Sequence, residues 1–220
     1  MILEKIKEQC VRSIQSAISS LDSRFEGEAI EDLIRLVRLE MFIISVNGSR
    51  TAAANGFIPG QWALTYLSVI NTNDQDPEAD YLVFNKPRTV RNNNHSDGIL
   101  FAGKEKSPRS FTQLKSWEQA AMALDLEEIY ANGGEHFLDE GDRLIIFGNK
   151  SLKRLKIRAV FESPEDVPGF DVYTNDYPMP EDLIPQLIIM VRDRFLAQQQ
   201  AQVPDLTQSG NDVTPPKINR

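Results

Sequence analysis

The stretch Arg143-Leu144-Ile145-Ile146-Phe147-Gly148-Asn149-Lys150-Ser151-Leu152-Lys153-Arg154-Leu155-Lys156-Ile157-Arg158-Ala159-Val160-Phe161 decides the fold class. Residues 143–147 and 152–161 are rich in large and β-branched apolar residues, the composition of strands. Gly148 to Ser151 between them has turn chemistry, so the spacing predicts a β-hairpin. In the second run Leu155, Ile157, Ala159 and Phe161 alternate with Arg154, Lys156 and Arg158. A period of two sends the first set into a core and leaves the second as a basic ladder on the opposite face.

Working outward toward the N-terminus, Trp62 to Ile70 reads as a further strand, apolar enough on both faces to be placed centrally in a sheet. Tyr81 to Phe84, stopped by Pro87, and Gly98 to Gly103 are shorter strands. Asn71 to Asp80 is an acidic turn, and Arg88 to Asp97 is a polar loop whose three asparagines compete for backbone hydrogen bonds. Trp117 to Leu124 favours helix on propensity. Before the strands, Leu3, Ile6, Cys10, Ile14, Ala17 and Leu21 recur every three or four residues, which predicts a helix over 2–21. A second helix is expected over 28–46, capped at Asn47-Gly48, with Ile30, Leu33, Ile34, Val37, Met41 and Ile44 on one face. Leu36, Leu39, Phe42 and Ile43 give it another apolar face, and a helix apolar on two sides is buried twice or meets a partner. Beyond Phe161, prolines punctuate a connection into a last helix near 180–199, in which Pro185 fits only the first turn.

Helices, then strands, then a helix describe an α+β fold: an N-terminal helix pair, a central mostly antiparallel β-sheet region, and a C-terminal helix with an extended tail. The expected organisation is 1–48 helical, 49–163 β-rich with loops, 164–199 connection and helix, and 200–220 tail, which makes one domain plus a tail.

Composition narrows the function. Among 220 residues, 24 Lys and Arg stand against 32 Asp and Glu, a formal net charge of −8, with 41% hydrophobic residues. That apolar fraction argues against wholesale disorder, and the acidic balance disfavours non-specific duplex binding, which works by neutralising phosphates. A single cysteine forms no internal disulfide, and with two histidines it is too little for a four-coordinate His/Cys zinc site. Cys10 falls on the first helix's apolar stripe and reads as a small buried hydrophobe. No run approaches the ~20 apolar residues needed to cross a bilayer, and the charged start lacks a signal peptide's apolar core, so no membrane partner is expected and synthesis is expected in the cytoplasm.

No constellation selects an enzyme. Asp74, Asp76, Glu78 and Asp80 alternate as at the opening of a calcium loop, but Ala79 stands where the glycine is needed and Asn85 where the closing Glu belongs, so a solvated acidic turn is the better account. His95 and His136 sit in no nucleophile or metal motif, and no glycine-rich loop cradles a phosphate. The expectation is no catalytic, cofactor-binding or metal-ligating residue. The ladder of Lys153, Arg154, Lys156 and Arg158 is either a solvated sheet face, a docking face for an acidic partner, or a phosphate contact. The tail from Val203 to Arg220 is too polar to fold alone and is expected to lie against another chain.

Phe161-Glu162-Ser163-Pro164-Glu165-Asp166-Val167, followed by Asp176-Tyr177-Pro178-Met179-Pro180-Glu181-Asp182-Leu183-Ile184 and an amphipathic helix, with Asn211-Asp212 in the tail, resembles the head–tail connector and tail ring proteins of crAss-like short-tailed bacteriophages. Leu33-Ile34-Arg35-Leu36-Val37-Arg38 is compatible with that family. The resemblance spans residues 1–50 and 144–212, and departs from it at Val213, where a glycine is expected. It implies a virion structural subunit located at the tail or head–tail junction. Such a subunit assembles with copies of itself in a ring, typically of twelve, beside the portal and adjacent tail or ring proteins. Double-stranded DNA passes through such a ring without specific binding. The interface residues expected on this reading are Leu36, Leu39, Phe42, Arg154, Lys156, Arg158, Leu206 and Ile218. The alternative is a soluble protein-binding adaptor module unrelated to virions.

Overall fold

The computed structural model describes residues 1–17, 27–52, 60–70, 75–76, 78–90, 98–122 and 134–202. Helices α1 (Leu3–Ala17) and α2 (Gly27–Ala52) come first, then a 3-10 turn at Gly60–Trp62. Strands follow: β1 (Leu64–Val69), β2 (Tyr81–Asn85), β3 (Ile99–Lys104), β4 (Thr112–Leu114), β5 (His136–Asp139), β6 (Arg143–Phe147) and β7 (Arg154–Ala159). A helix, α3, occupies 117–122 between β4 and β5, and α4 (Ile184–Gln202) closes the order. The class is α+β, with N-terminal helices and a C-terminal helix around two mostly antiparallel sheets.

The sheets run β1-β7-β3 and β2-β6-β5-β4, antiparallel throughout except where β4 pairs in parallel with β5. Their inner faces share one core, in which Leu82, Phe84, Phe137, Leu144 and Ile146 of one sheet meet Ala102, Leu155, Ile157 and Ala159 of the other. Both margins are stitched. Ser68 Oγ donates to the Asn85 carbonyl at 2.7 Å, and the Phe111 amide to the Ala102 carbonyl at 2.7 Å.

The expected hairpin does not form. Residues 143–147 and 154–159 are strands as expected, but β6 pairs with β2 and β5 while β7 pairs with β1 and β3. Burial explains the split. Leu144 to Phe147 are buried on both faces of their sheet, whereas the outer side of β7 carries the cations. Hairpin partners share an outer face, so pairing these two would set Ile145 and Phe147 beside Arg154, Lys156 and Arg158. Instead the chain crosses between sheets through Gly148, at φ 82°, and sinks Leu152 into the core. The strand at 64–69 is also not central: β1 is the edge of its sheet, with Thr65, Leu67 and Val69 turned outward. Trp62 leaves the strand for the 3-10 turn and is fully buried. Strands β4 and β5 were not expected.

The helices form a second layer. Leu3, Ile6, Cys10 and Ile14 of α1 pack with Ile30, Ile34, Val37 and Met41 of α2 and with Ile184, Leu187 and Val191 of α4. Trp62, Val90 and Val160 join that core to one end of the sandwich. Helix α2 continues through Asn47-Gly48 to Ala52, so the expected glycine cap is absent; a helical glycine costs only ~1 kcal/mol. Pro185 stands in the first turn of α4, behind a 3-10 turn at Glu181–Leu183, where its missing N–H costs nothing. Cys10 is buried as expected, and burial pushes its thiol up to about 12.

Arg38 fastens the layers. It is 1% exposed on the core side of α2. Its Nε donates to the Pro178 carbonyl at 3.0 Å, Nη1 to Phe161 at 3.0 Å and Nη2 to Trp62 at 3.3 Å. The guanidinium also lies 5.6 Å from the centre of the Tyr177 ring. Burial lowers its pKa, and the Tyr177 hydroxyl is pushed up to about 12, chiefly by its own burial.

Candidate functional site

The two sheets treat their outer faces differently. On the four-stranded sheet, Trp117 from the start of α3 lies over Tyr81 and Phe147 at ring-centre distances of 5.5 and 5.8 Å. Its indole Nε1 donates to Glu140 Oε1 at 2.8 Å, which anchors the cover. Leu114, Ala120, Leu138 and Ile145 complete a small core beneath it.

The outer face of β1-β7-β3 carries charge instead. Antiparallel register sets Thr65 opposite Arg158, Leu67 opposite Lys156 and Val69 opposite Arg154. Leu67 and Val69 are 38% and 61% exposed. On the other flank Gly103 lies opposite Lys156, and a Cβ there would come within 2.9 Å of the Phe101 ring. The Arg109 carbonyl oxygen would be closer still, at 2.5 Å, so glycine is what this crossing of backbone tolerates, and Lys156 Nζ approaches the Phe101 ring centre at 5.9 Å. Arg158 passes over Gly60, whose carbonyl accepts from Nη2 at 3.4 Å, and Arg154 meets Glu105 at 3.6 Å. A shallow cavity of about 360 Å³ lies among Thr65, Phe101, Pro108, Lys156 and Arg158. The result is a basic face with apolar patches on a chain of net charge −8.

Arg154, Lys156 and Arg158 therefore come together as the alternation requires. The α2 residues do not act as one surface. Leu36 is 46% exposed, Leu39 is half-buried against the helical core, and Phe42 is 1% exposed, edge-on to Trp62 at 5.7 Å. Phe42 presents no surface to a partner, because eight residues after Ile34 it returns to the core face of the helix. Ile44, expected in the core, sits at the edge of that stripe and is 64% exposed. Leu206, Ile218 and His95 lie outside the described residues, as does the tail from 203.

Two polar clusters escaped the sequence reading. One is the Arg38 clamp, whose signal was a cation four residues after Ile34 and three before Met41, inside an apolar stripe. The other lies where β2 and β5 end. The Lys86 ammonium, fully buried, meets Asp139 Oδ1 at 2.9 Å, donates to Thr89 Oγ1 at 3.0 Å and also bonds the Gly141 carbonyl. Thr89 in turn donates to Asp139 Oδ2 at 3.1 Å. Beside it, a cleft of about 250 Å³ is lined by Arg88, Glu140, Asp142 and Glu162. Glu165, elsewhere, faces Arg35 at 3.4 Å. The described acids that are most buried thus serve ion pairs with neighbouring cations. Among the described residues no group of three or more His, Cys, Asp or Glu is placed to hold a metal ion, and no helix is long and apolar enough to cross a membrane.

No protein-family model matches the chain, and neither does any curated protein sequence.

Proposed function

We propose that this chain is a virion structural protein, one subunit of a ring in the head–tail connector or tail of a short-tailed bacteriophage. Its role is contact rather than catalysis and needs no cofactor. Its partners are copies of itself, the portal and adjacent tail or ring proteins, and it surrounds passing double-stranded DNA without binding it specifically. The geometric observation that supports this reading is the outer face of β1-β7-β3: cations and exposed apolar side chains lie side by side on one sheet face, and among the described residues none covers it as Trp117 covers the other sheet. Such a mixture is the anatomy of a protein–protein interface, where charge sets register and apolar groups are desolvated. The resemblance of residues 1–50 and 144–212 to crAss-like ring proteins supplies the phage context. Net negative charge suits a DNA conduit, since it does not grip its cargo.

Mass spectrometry of purified virions tests the reading: the chain is expected as a multi-copy component of the particle. Its absence from intact virions overturns the assignment. The same face would also suit an adaptor that binds one acidic partner, and stoichiometry separates the two, a ring against a one-to-one complex.

A further inference from the structure

The segment 162–182 is the basic face's counterpart in charge. It holds Glu162, Glu165, Asp166, Asp171, Asp176, Glu181 and Asp182 and no Lys, Arg or His. Asp166, Asp171 and Asp182 are exposed, and the Asp176 and Glu181 side chains are 82% and 85% exposed. The segment is also preorganised. Asp171 Oδ1 accepts from the Tyr173 amide at 2.9 Å and Oδ2 from Thr174 Oγ1 at 2.9 Å, while the Asp171 amide donates to Asn175 Oδ1 at 2.7 Å. This turn holds Tyr173 outward, 68% exposed. Among the described residues of one chain no ion pair joins the two surfaces. Among the described residues, the segment's ion pairs run from Asp176 and Glu181 to the Met1 amino group and from Glu165 to Arg35, and the ladder's one ion pair is Arg154 with Glu105.

We infer that the outer face of β1-β7-β3 docks the acidic 162–182 segment of a second copy of this chain. Arg154, Lys156 and Arg158 supply cations, Leu67, Val69 and Phe101 supply apolar ground, and the segment returns carboxylates around an exposed aromatic ring. A rigid turn pays little ordering entropy on docking, and a tyrosine beside guanidinium groups gains from cation–π contact. Because the two patches are different surfaces, the contact is heterologous and repeats from copy to copy, closing as a ring or continuing as a filament. The inference deepens the ring reading above and rests on it only for closure.

The test uses the full chain at about 1 mM, where even a weak contact is populated, in sedimentation at about 0.05 M and about 0.5 M salt. The expected result is self-association that the higher salt weakens at least about tenfold. Arg154→Glu/Arg158→Glu, and separately Asp166→Lys/Asp182→Lys, each weaken it by about 100-fold, and mixing the two variants restores it. Zero-length cross-linking of mixed heavy- and light-isotope chains should join Lys153 or Lys156 to carboxylates of 162–182 between copies. Self-association that neither reversal nor salt affects overturns the inference. So does a chain that stays monomeric, or cross-linking between copies that joins the ladder only to carboxylates outside 162–182. The salt arm needs no variant and so does not depend on a variant folding. Absence from virions, by contrast, overturns the ring reading and leaves a measured copy-to-copy contact standing.

Discussion

Replacing Arg38 by methionine should separate the helical layer from the sandwich. The methionine keeps most of the apolar stem and removes the three donors that reach Pro178, Phe161 and Trp62. Each is a charge-assisted bond to a buried carbonyl, and a buried hydrogen bond contributes ~1 kcal/mol net, more when one partner is charged. Against that loss stands the desolvation of the guanidinium, which has only an aromatic face and three carbonyls as immediate company. Taking ~1 kcal/mol per bond, the net loss is about 3 kcal/mol, or roughly 6–12 °C in melting temperature for a domain of this size. Arg38→Lys should do no better, since one ammonium on a flexible stem does not span three carbonyls set by a planar fork. The assay is urea unfolding followed separately by helical ellipticity and by tryptophan emission. With Trp117 replaced by Phe so that emission comes from Trp62 alone, the two probes should also part, because Trp62 reports the joint and ellipticity mainly the helices. Wild-type or higher stability in Arg38→Met, with coincident probes, would refute the reasoning: the arginine's burial would then cost as much as its bonds return.

The other expectations follow from the same contacts. Phe42→Ala should cost ~3–5 kcal/mol, measured by denaturant unfolding, whereas Leu36→Ser, on the exposed side of α2, should leave stability within ~0.5 kcal/mol. Asp139→Ala should cost ~3–5 kcal/mol by stranding the buried Lys86 ammonium, and Lys86→Met with Asp139→Leu together should recover most of it. Cys10 and Tyr177 are both held neutral to about pH 12 in the fold, against 9.0 and 10.0 for the ordinary groups. The unfolded chain therefore loses these protons first, and their contribution to stability is whole below pH 9 and falls as the pH rises toward 12, which thermal melts across that range would follow. Duplex DNA should bind weakly and with strong salt dependence in fluorescence anisotropy; a dissociation constant below about 1 μM at physiological salt would contradict the passive conduit.

The periodic parts of the fold were legible in the sequence. The α1 stripe, the core face of α2 and the alternation over 154–159 each follow from one repeating interaction with a core. Sheet membership was not. Nothing local in residues 148–153 distinguishes a hairpin turn from a crossing between sheets; the deciding fact is that Trp117, 30 residues before Phe147, covers one outer face and not the other. Strand β4 is three residues long and pairs in parallel with β5, so neither shows an alternation of its own. Phe42 misled because an aromatic beside Leu39 and Ile43 widens the apparent apolar face, while helix geometry returns position 42 to the core. The basic ladder was legible as residues, but its apolar neighbours Leu67 and Val69 lie far from it in sequence, opposite Lys156 and Arg154, and join it only through register.

Cryo-electron microscopy of intact virions at a resolution that traces side chains tests the central claim most directly. The account predicts a closed ring of this chain at the head–tail junction or in the tail. Adjacent copies should meet through the outer face of β1-β7-β3, and DNA should pass through the lumen without ordered contacts. Density that assigns the chain to no ring, or particles that lack it, would contradict the account.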